Sequence, residues 1–281
     1  MDWYAGHARP LPWRDPSCTP WGVLVSEVMS QQTPVARVAP VWLEWMQRWP
    51  RPSDLAQSSP ADVVRAWKRL GYPRRALRLR EAALALLERH GGEVPNDEAA
   101  LRALPGVGDY TAAAVTAFGF GARSVVVDTN VRRVLARMIS GRALPAPALT
   151  SAERALAASM VPPAPEDAAV WSVAVMELGA VVCTARAPAC GTCPVSTRCA
   201  WALAGFPPHE GPPRRGQAWH GTDRQVRGAV LQRLRESEHP VPRSELASVT
   251  VQPGQLDRAI ASLLEDGLLE PAGGELLRLP L

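Results

Sequence analysis

The chain has 281 residues, 47% apolar and 21% charged, with a formal charge of +4 and an isoelectric point near 9.0, the profile of an ordinary globular protein of one large or two unequal domains. No apolar run is long enough to span a bilayer, and MDWYAGHARPLPWRD lacks a basic stretch leading into an apolar one, which excludes a membrane partner and a secretory leader and makes the cytoplasm the expected location. The charge mildly favours an anionic partner, but Lys68 is the single lysine among 31 basic residues, so the arginine count alone selects no ligand.

From Trp21 to about Phe120 the apolar residues recur every three or four positions, and Pro and Gly divide the segment into short helices. WGVLVSEVMS is the first; Thr33 is the expected cap, and Pro34 the first residue, of the next. SSPADVVRAWKRLG should be stopped by Gly71, PRRALRLREAALALLERHGG is closed by glycines, and NDEAALRAL leads into LPGVGDYTA at 104–112. ARSVVVD is extended but too short and solitary to imply a sheet, and Asp128 at its end stands at the N-cap of TNVRRVLARM. The first two-thirds therefore read as all-α.

FPPHEGPPRRGQAWHG, residues 206–221, reads as a linker. Beyond it, TDRQVRGAVLQRLRES, PRSELAS and PGQLDRAIASLLEDG give three helices, and LLEPAGGELLRL a hairpin turning near Gly273 and Gly274. Residues 222–281 are thus expected to form a small winged-helix-like module. Its third helix carries Asp257, Glu265 and Asp266 against Arg258, a poor match to phosphates, so contact with DNA and docking on the core or on a partner both stay open.

Four cysteines in CTARAPACGTCPVSTRC (Cys183, Cys190, Cys193 and Cys199) follow the pattern C-x6-C-x2-C-x5-C. Thiolates this close can converge on one metal centre, and the spacing leaves zinc and an iron–sulfur cluster both open. Cys18, far away between two prolines, is an incidental thiol. In LPGVGDYTA, Gly106 and Gly108 allow a tight turn whose N–H groups, at the start of a helix, suit an anion such as a backbone phosphate, or simply connect two helices. Glu27 lies in a helix apolar nearly all round, where burial would keep a carboxyl protonated near neutrality, as a general acid requires; a structural carboxylate paired with a core arginine is the alternative.

Together these features resemble the HhH-GPD DNA glycosylases. LPGVGDYTA looks like their helix-hairpin-helix, and the four cysteines match the [4Fe–4S] loop of the endonuclease III and MutY branches. LPWR at 11–14, SEVMSQQT at 26–33, LGY at 70–72, VDTNVRRVL at 127–135 and MELGAVVC at 176–183 are similar to the MutY branch, adenine glycosylases that act opposite 8-oxoguanine; the resemblance spans about residues 8–205. It implies a glycosylase core over 1–205, with a helical barrel lobe at 20–125 and an iron–sulfur lobe formed by 1–19 and 126–205. It also implies a monomeric bacterial enzyme, nucleoid-associated when bound to double-stranded DNA carrying a mispaired or damaged base.

By that resemblance Glu27 protonates the adenine ring, Asp128 stabilises the positive sugar, and Asn130 and Tyr110 belong to the same pocket. Arg14 lies near it, Gln32 and Tyr72 face the duplex from which the base is flipped, and Gly106, Val107 and Gly108 form the phosphate-binding hairpin. Endonuclease III keeps a lyase lysine at the position of Tyr110 and lacks a counterpart of Glu27, so a monofunctional adenine glycosylase is expected; a thymine or uracil mismatch glycosylase or an endonuclease III-type enzyme is the alternative. The chain departs from the branch at Pro73, where a second tyrosine is common, at Ser30, and at Ser172 and Val173. Its C-terminal sixty residues are too short and too helical for the Nudix-like domain many members carry.

Overall fold

A computed structural model describes residues 1–211 and 219–281, so the middle of the expected linker, 212–218, lies outside the described residues. Among the described residues the fold is all-α except for three very short strands near the C-terminus, and the chain divides into two compact units. One comprises Met1–Glu27, Pro95–Ala103 and the chain from Val107 up to the undescribed segment. The other comprises Val28–Val94, Leu104–Gly106 and the residues from 219 onward.

In the first unit the Asp109–Phe120 helix buries Ala112 to Ala117 on almost every side. The 122–128 segment joins no sheet, as its isolation implied, and ends at Asp128, which caps Thr129–Met138 by accepting from Val131 N at 2.6 Å. The Pro165–Val181 helix packs against this capped helix, and Gly179 permits the approach: a Cβ there would stand 2.7 Å from Asn130 Cβ. Any side chain at Gly179 would push Asn130 away.

In the second unit Trp45 stacks edge-on against Trp49 and Trp67 and donates to Ala66 O at 2.9 Å. The Val35–Arg48 helix starts one residue later than expected, with Pro34 at the cap, because the Thr33 hydroxyl is turned to Leu70 O at 2.9 Å. The Pro60–Ala66 helix stops well before Gly71, since Lys68 takes a left-handed conformation (φ 50°) that breaks the helix earlier than that glycine would. Lys68 lies exposed there, paired with Glu44 at 2.5 Å. Gly91, at φ 60°, closes Arg74–His90 as the glycine signal predicted.

The C-terminal helices Asp223–Glu236, Arg243–Leu246 and Gln255–Glu265 stand with an antiparallel sheet in which Leu276–Arg278 lies between Val241–Pro242 and Glu270–Pro271; Gly273 and Gly274 turn the hairpin with positive φ. Their core is shared with the earlier part of the same unit. Val226, Val230, Leu231, Ile260 and Leu263 pack in one cluster with Ala61 and Val64. Arg235 Nε donates to Val64 O at 2.9 Å, and Asp266 holds Arg74 at 3.0 Å and Arg227 at 2.5 Å. The acidic residues that made this module a poor partner for phosphate are thus partly spent on docking it.

Candidate active site

Glu27 sits near the middle of the Pro20–Ser30 helix, 7% exposed among Val23, Leu24 and Val28. Tyr110, in the first turn of Asp109–Phe120, donates its hydroxyl to Glu27 Oε2 at 2.8 Å and lies 3.7 Å from Met176 Sδ. Burial drives the Glu27 carboxyl up and the nearby charge of Asp128 adds to this; the Tyr110 bond and the charge of Arg14 oppose it, leaving the pKa at about 7. Burial likewise pushes the Tyr110 phenol well above its ordinary range, so it remains a donor.

Asp128 is half-buried, and burial raises its carboxyl, while Val131 N and the Asn130 amide, at 2.7 Å from Oδ2, favour its ionised form. Asn130 Oδ1 in turn accepts from Arg133 Nη2 at 2.7 Å, which fixes the amide orientation. One acid poised near neutrality and one carboxylate dressed with donors, in one compact unit, can protonate a leaving group and stabilise a cation.

Arg14 is committed inward. Its Nη2 lies 2.8 Å from Glu177 Oε2, and Arg9 meets the same carboxylate through Nε and Nη2 at 2.7 Å each. Glu177 is fully buried; burial alone would raise its pKa, but the two arginines bring it down to about 2. Sequence reasoning missed Glu177, whose partners lie more than 160 residues away; the buried position of MELGA within a helix was its one local signal. Ser172, at a position where the chain departs from the MutY branch, is buried with its Oγ unpartnered among the described residues.

The hairpin has the geometry an anion site needs. Gly106 takes φ 78°, with its backbone so near Arg78 that a Cβ would stand 2.9 Å from Arg78 Cβ, and Gly108 caps the following helix. Val107 buries its side chain. Asp109, which would repel a phosphate, is offset by Arg102 at 3.7 Å and Arg154 at 3.2 Å. Gln32 and Tyr72 are both exposed in the second unit. Pro73 begins the turn into Arg74–His90, and Ser30 ends the Glu27 helix.

Cys183, Cys190, Cys193 and Cys199 line one recess with Val134, Leu178, Val182 and Trp201. Arg137 Nη1 lies 3.3 Å from Cys183 Sγ and 2.7 Å from Thr184 O, and Arg133 Nε donates to Cys183 O at 2.7 Å. Four thiols in an apolar recess, with an arginine aimed at one sulfur, suit the net negative charge of a thiolate-bound cluster.

The profile of the HhH-GPD superfamily base excision DNA repair proteins matches residues 25–158, and that of the iron–sulfur binding domain of endonuclease III matches 183–199. The chain is 53% identical over 270 residues to an adenine DNA glycosylase of Mycobacterium tuberculosis, covering 96% of this chain and 88% of that protein. It is 51% identical over 271 residues to one from Mycolicibacterium smegmatis, covering 96% and 91%. A solved thermostable thymine-DNA glycosylase superposes with a TM-score of 0.64 at 27% identity, over 72% of this chain and 93% of that one.

Proposed function

Because the chain belongs to the adenine DNA glycosylases of the HhH-GPD superfamily, with a [4Fe–4S] cluster on its four cysteines, we propose that it hydrolyses the N-glycosidic bond of adenine mispaired with 8-oxoguanine or guanine in duplex DNA. It acts as a monomer and stops at base removal. The observation that carries this reading is Glu27, buried, bonded to Tyr110 and protonated up to about pH 7.

The chemistry follows from the residues. Adenine is a poor leaving group as an anion, so Glu27 delivers its proton to a ring nitrogen of the extruded base as the bond to C1′ breaks. The electron pair leaves with the neutral base, and positive charge builds on the sugar opposite Asp128. Water adds at C1′ and gives its proton to the carboxylate left on Glu27. The N–H groups at 106–108 hold a backbone phosphate. The cluster, when bound, braces its lobe. Arg14 acts from its pair with Glu177, through its charge, rather than as an outward arm.

No amine stands at Tyr110, so little or no Schiff-base chemistry is expected. Likeness to a thymine-DNA glycosylase is the observation that favours a second reading, mismatched thymine or uracil as substrate. Free-base release from A·8-oxoguanine, A·G, T·G and U·G duplexes separates the two. Adenine should be freed with strands intact until alkali is added; preferential release of thymine or uracil would replace the first reading with the second.

Tyr110→Phe removes a hydrogen bond that holds the Glu27 carboxyl down. Its pKa should therefore rise, and the alkaline limb of the single-turnover rate profile should move to higher pH. A limb that stays in place or moves down would refute the role given to this bond.

A further inference from the structure

Gln32 and Tyr72 share a rarity. Each is a non-glycine residue with left-handed backbone, φ 55° and 44°, and each is exposed. Such conformations cost energy and persist where the surroundings enforce them. Arg75, in the first turn of Arg74–His90, lies against both loops. Its Nη1 donates to Val28 O at 2.7 Å, Met29 O at 3.2 Å and Gln31 O at 2.6 Å. Its Nη2 donates to Thr33 Oγ1 and Gly71 O at 3.1 Å each, and its Nε to Tyr72 O at 3.4 Å.

The guanidinium also rests 5.2 Å from the Trp67 ring and 5.6 Å from the Tyr72 ring. Burial lowers its pKa to about 10, so it stays charged at neutral pH while bonded to four main-chain carbonyls and a hydroxyl at 3.2 Å or less. Capping the end of the Glu27 helix would need one or two of those bonds. The others hold Gln31 O and Thr33 Oγ1 around Gln32, and two, to Gly71 O and Tyr72 O, hold the segment that carries Tyr72, a span that needs the planar, five-donor fork of arginine.

We propose that Arg75 is a positioning residue for duplex engagement: one guanidinium fixes the spacing between the Gln32 and Tyr72 loops, so that both side chains meet the distorted helix together beside the extruded nucleotide. This rests on the reading of Gln32 and Tyr72 as DNA contacts. Lysine retains the charge but cannot bridge both loops in fixed geometry, so the conservative variant is the informative one.

The test is an affinity cycle with the full chain on A·8-oxoguanine duplex and on undamaged duplex. Arg75→Lys should bind the mispaired duplex about tenfold more weakly and the undamaged one within about twofold, with the pH profile of excision at saturating duplex unchanged. In a Gln32→Ala, Tyr72→Ala background the same change should cost less than about twofold, because the residues it acts through are gone. Unaltered affinity of Arg75→Lys, an equal loss in both backgrounds, or a parallel loss on both duplexes that follows the folded fraction would each overturn the proposal. Absence of adenine release by the unaltered protein would sink the glycosylase reading alone; the affinity cycle would still decide Arg75.

Discussion

Glu27→Gln is expected to lower adenine release by about 10²–10⁴-fold, the contribution of a well-placed general acid, while leaving duplex affinity within about twofold. The amide keeps an oxygen for the Tyr110 hydroxyl, so the pocket retains its shape and loses only the proton. The same change should stabilise the fold. A glutamate whose pKa rises from 4.5 unfolded to about 7 folded contributes stability that is fully present below about pH 4.5 and is lost as pH rises through 7, a difference on the order of 3 kcal/mol. Above neutrality the native protein holds an ionised carboxylate in an apolar helix environment. The variant should therefore unfold at higher urea than the native chain at pH 8, by up to about 3 kcal/mol, and the gap should close by pH 4.5. An unchanged excision rate would sink the acid assignment, and equal stability at both pH values would show that the carboxyl is not raised in the folded chain.

The second large effect concerns the C-terminal module. Ending the chain after Gly221 removes most of a cluster that reaches across to Ala61 and Val64, with Leu77 packed against it, and leaves Val64 O without the Arg235 donor. Re-exposing those side chains costs about 2–4 kcal/mol, which for a chain of this size corresponds to a fall in melting temperature of roughly 5–15 °C. Mispair preference per folded molecule should be retained, because Glu27, Asp128 and the hairpin lie outside the deleted segment. A truncated protein that melts with the full chain would refute the shared core. A loss of mispair preference at unchanged stability would reassign the module to DNA.

The parts of this molecule that were legible in its sequence are those whose partners are near in the chain. The four cysteines span seventeen residues, Asp128 caps the helix that begins at the next residue, and Gly91, Gly273 and Gly274 turn where glycine is cheapest. The link from Tyr110 to Glu27 crosses 83 positions; resemblance to a family placed both residues in one pocket, and no periodicity could have done so. Glu177 and Arg75 were missed for the same reason, since an arginine in RRALRLR looks like any solvated helix residue until the carbonyls around it are known. The module's helices were readable from their own Leu and Val spacing, but that spacing does not say which surface completes the core. Thr33 carried a cap signal and was diverted by Leu70 O, a tertiary acceptor outweighing a local preference.

The ion pair between Lys68 and Glu44 has a practical use. As the chain's single lysine it is also its single ε-amine, exposed on one compact unit and four residues before Tyr72. Apart from the chain's α-amine, an amine-directed fluorophore would thus attach at one known side-chain address without cysteine substitution, leaving the four cysteines of the proposed cluster loop unlabelled. Quenching or polarisation of that dye would time the enzyme's arrival on a duplex separately from the release of its base.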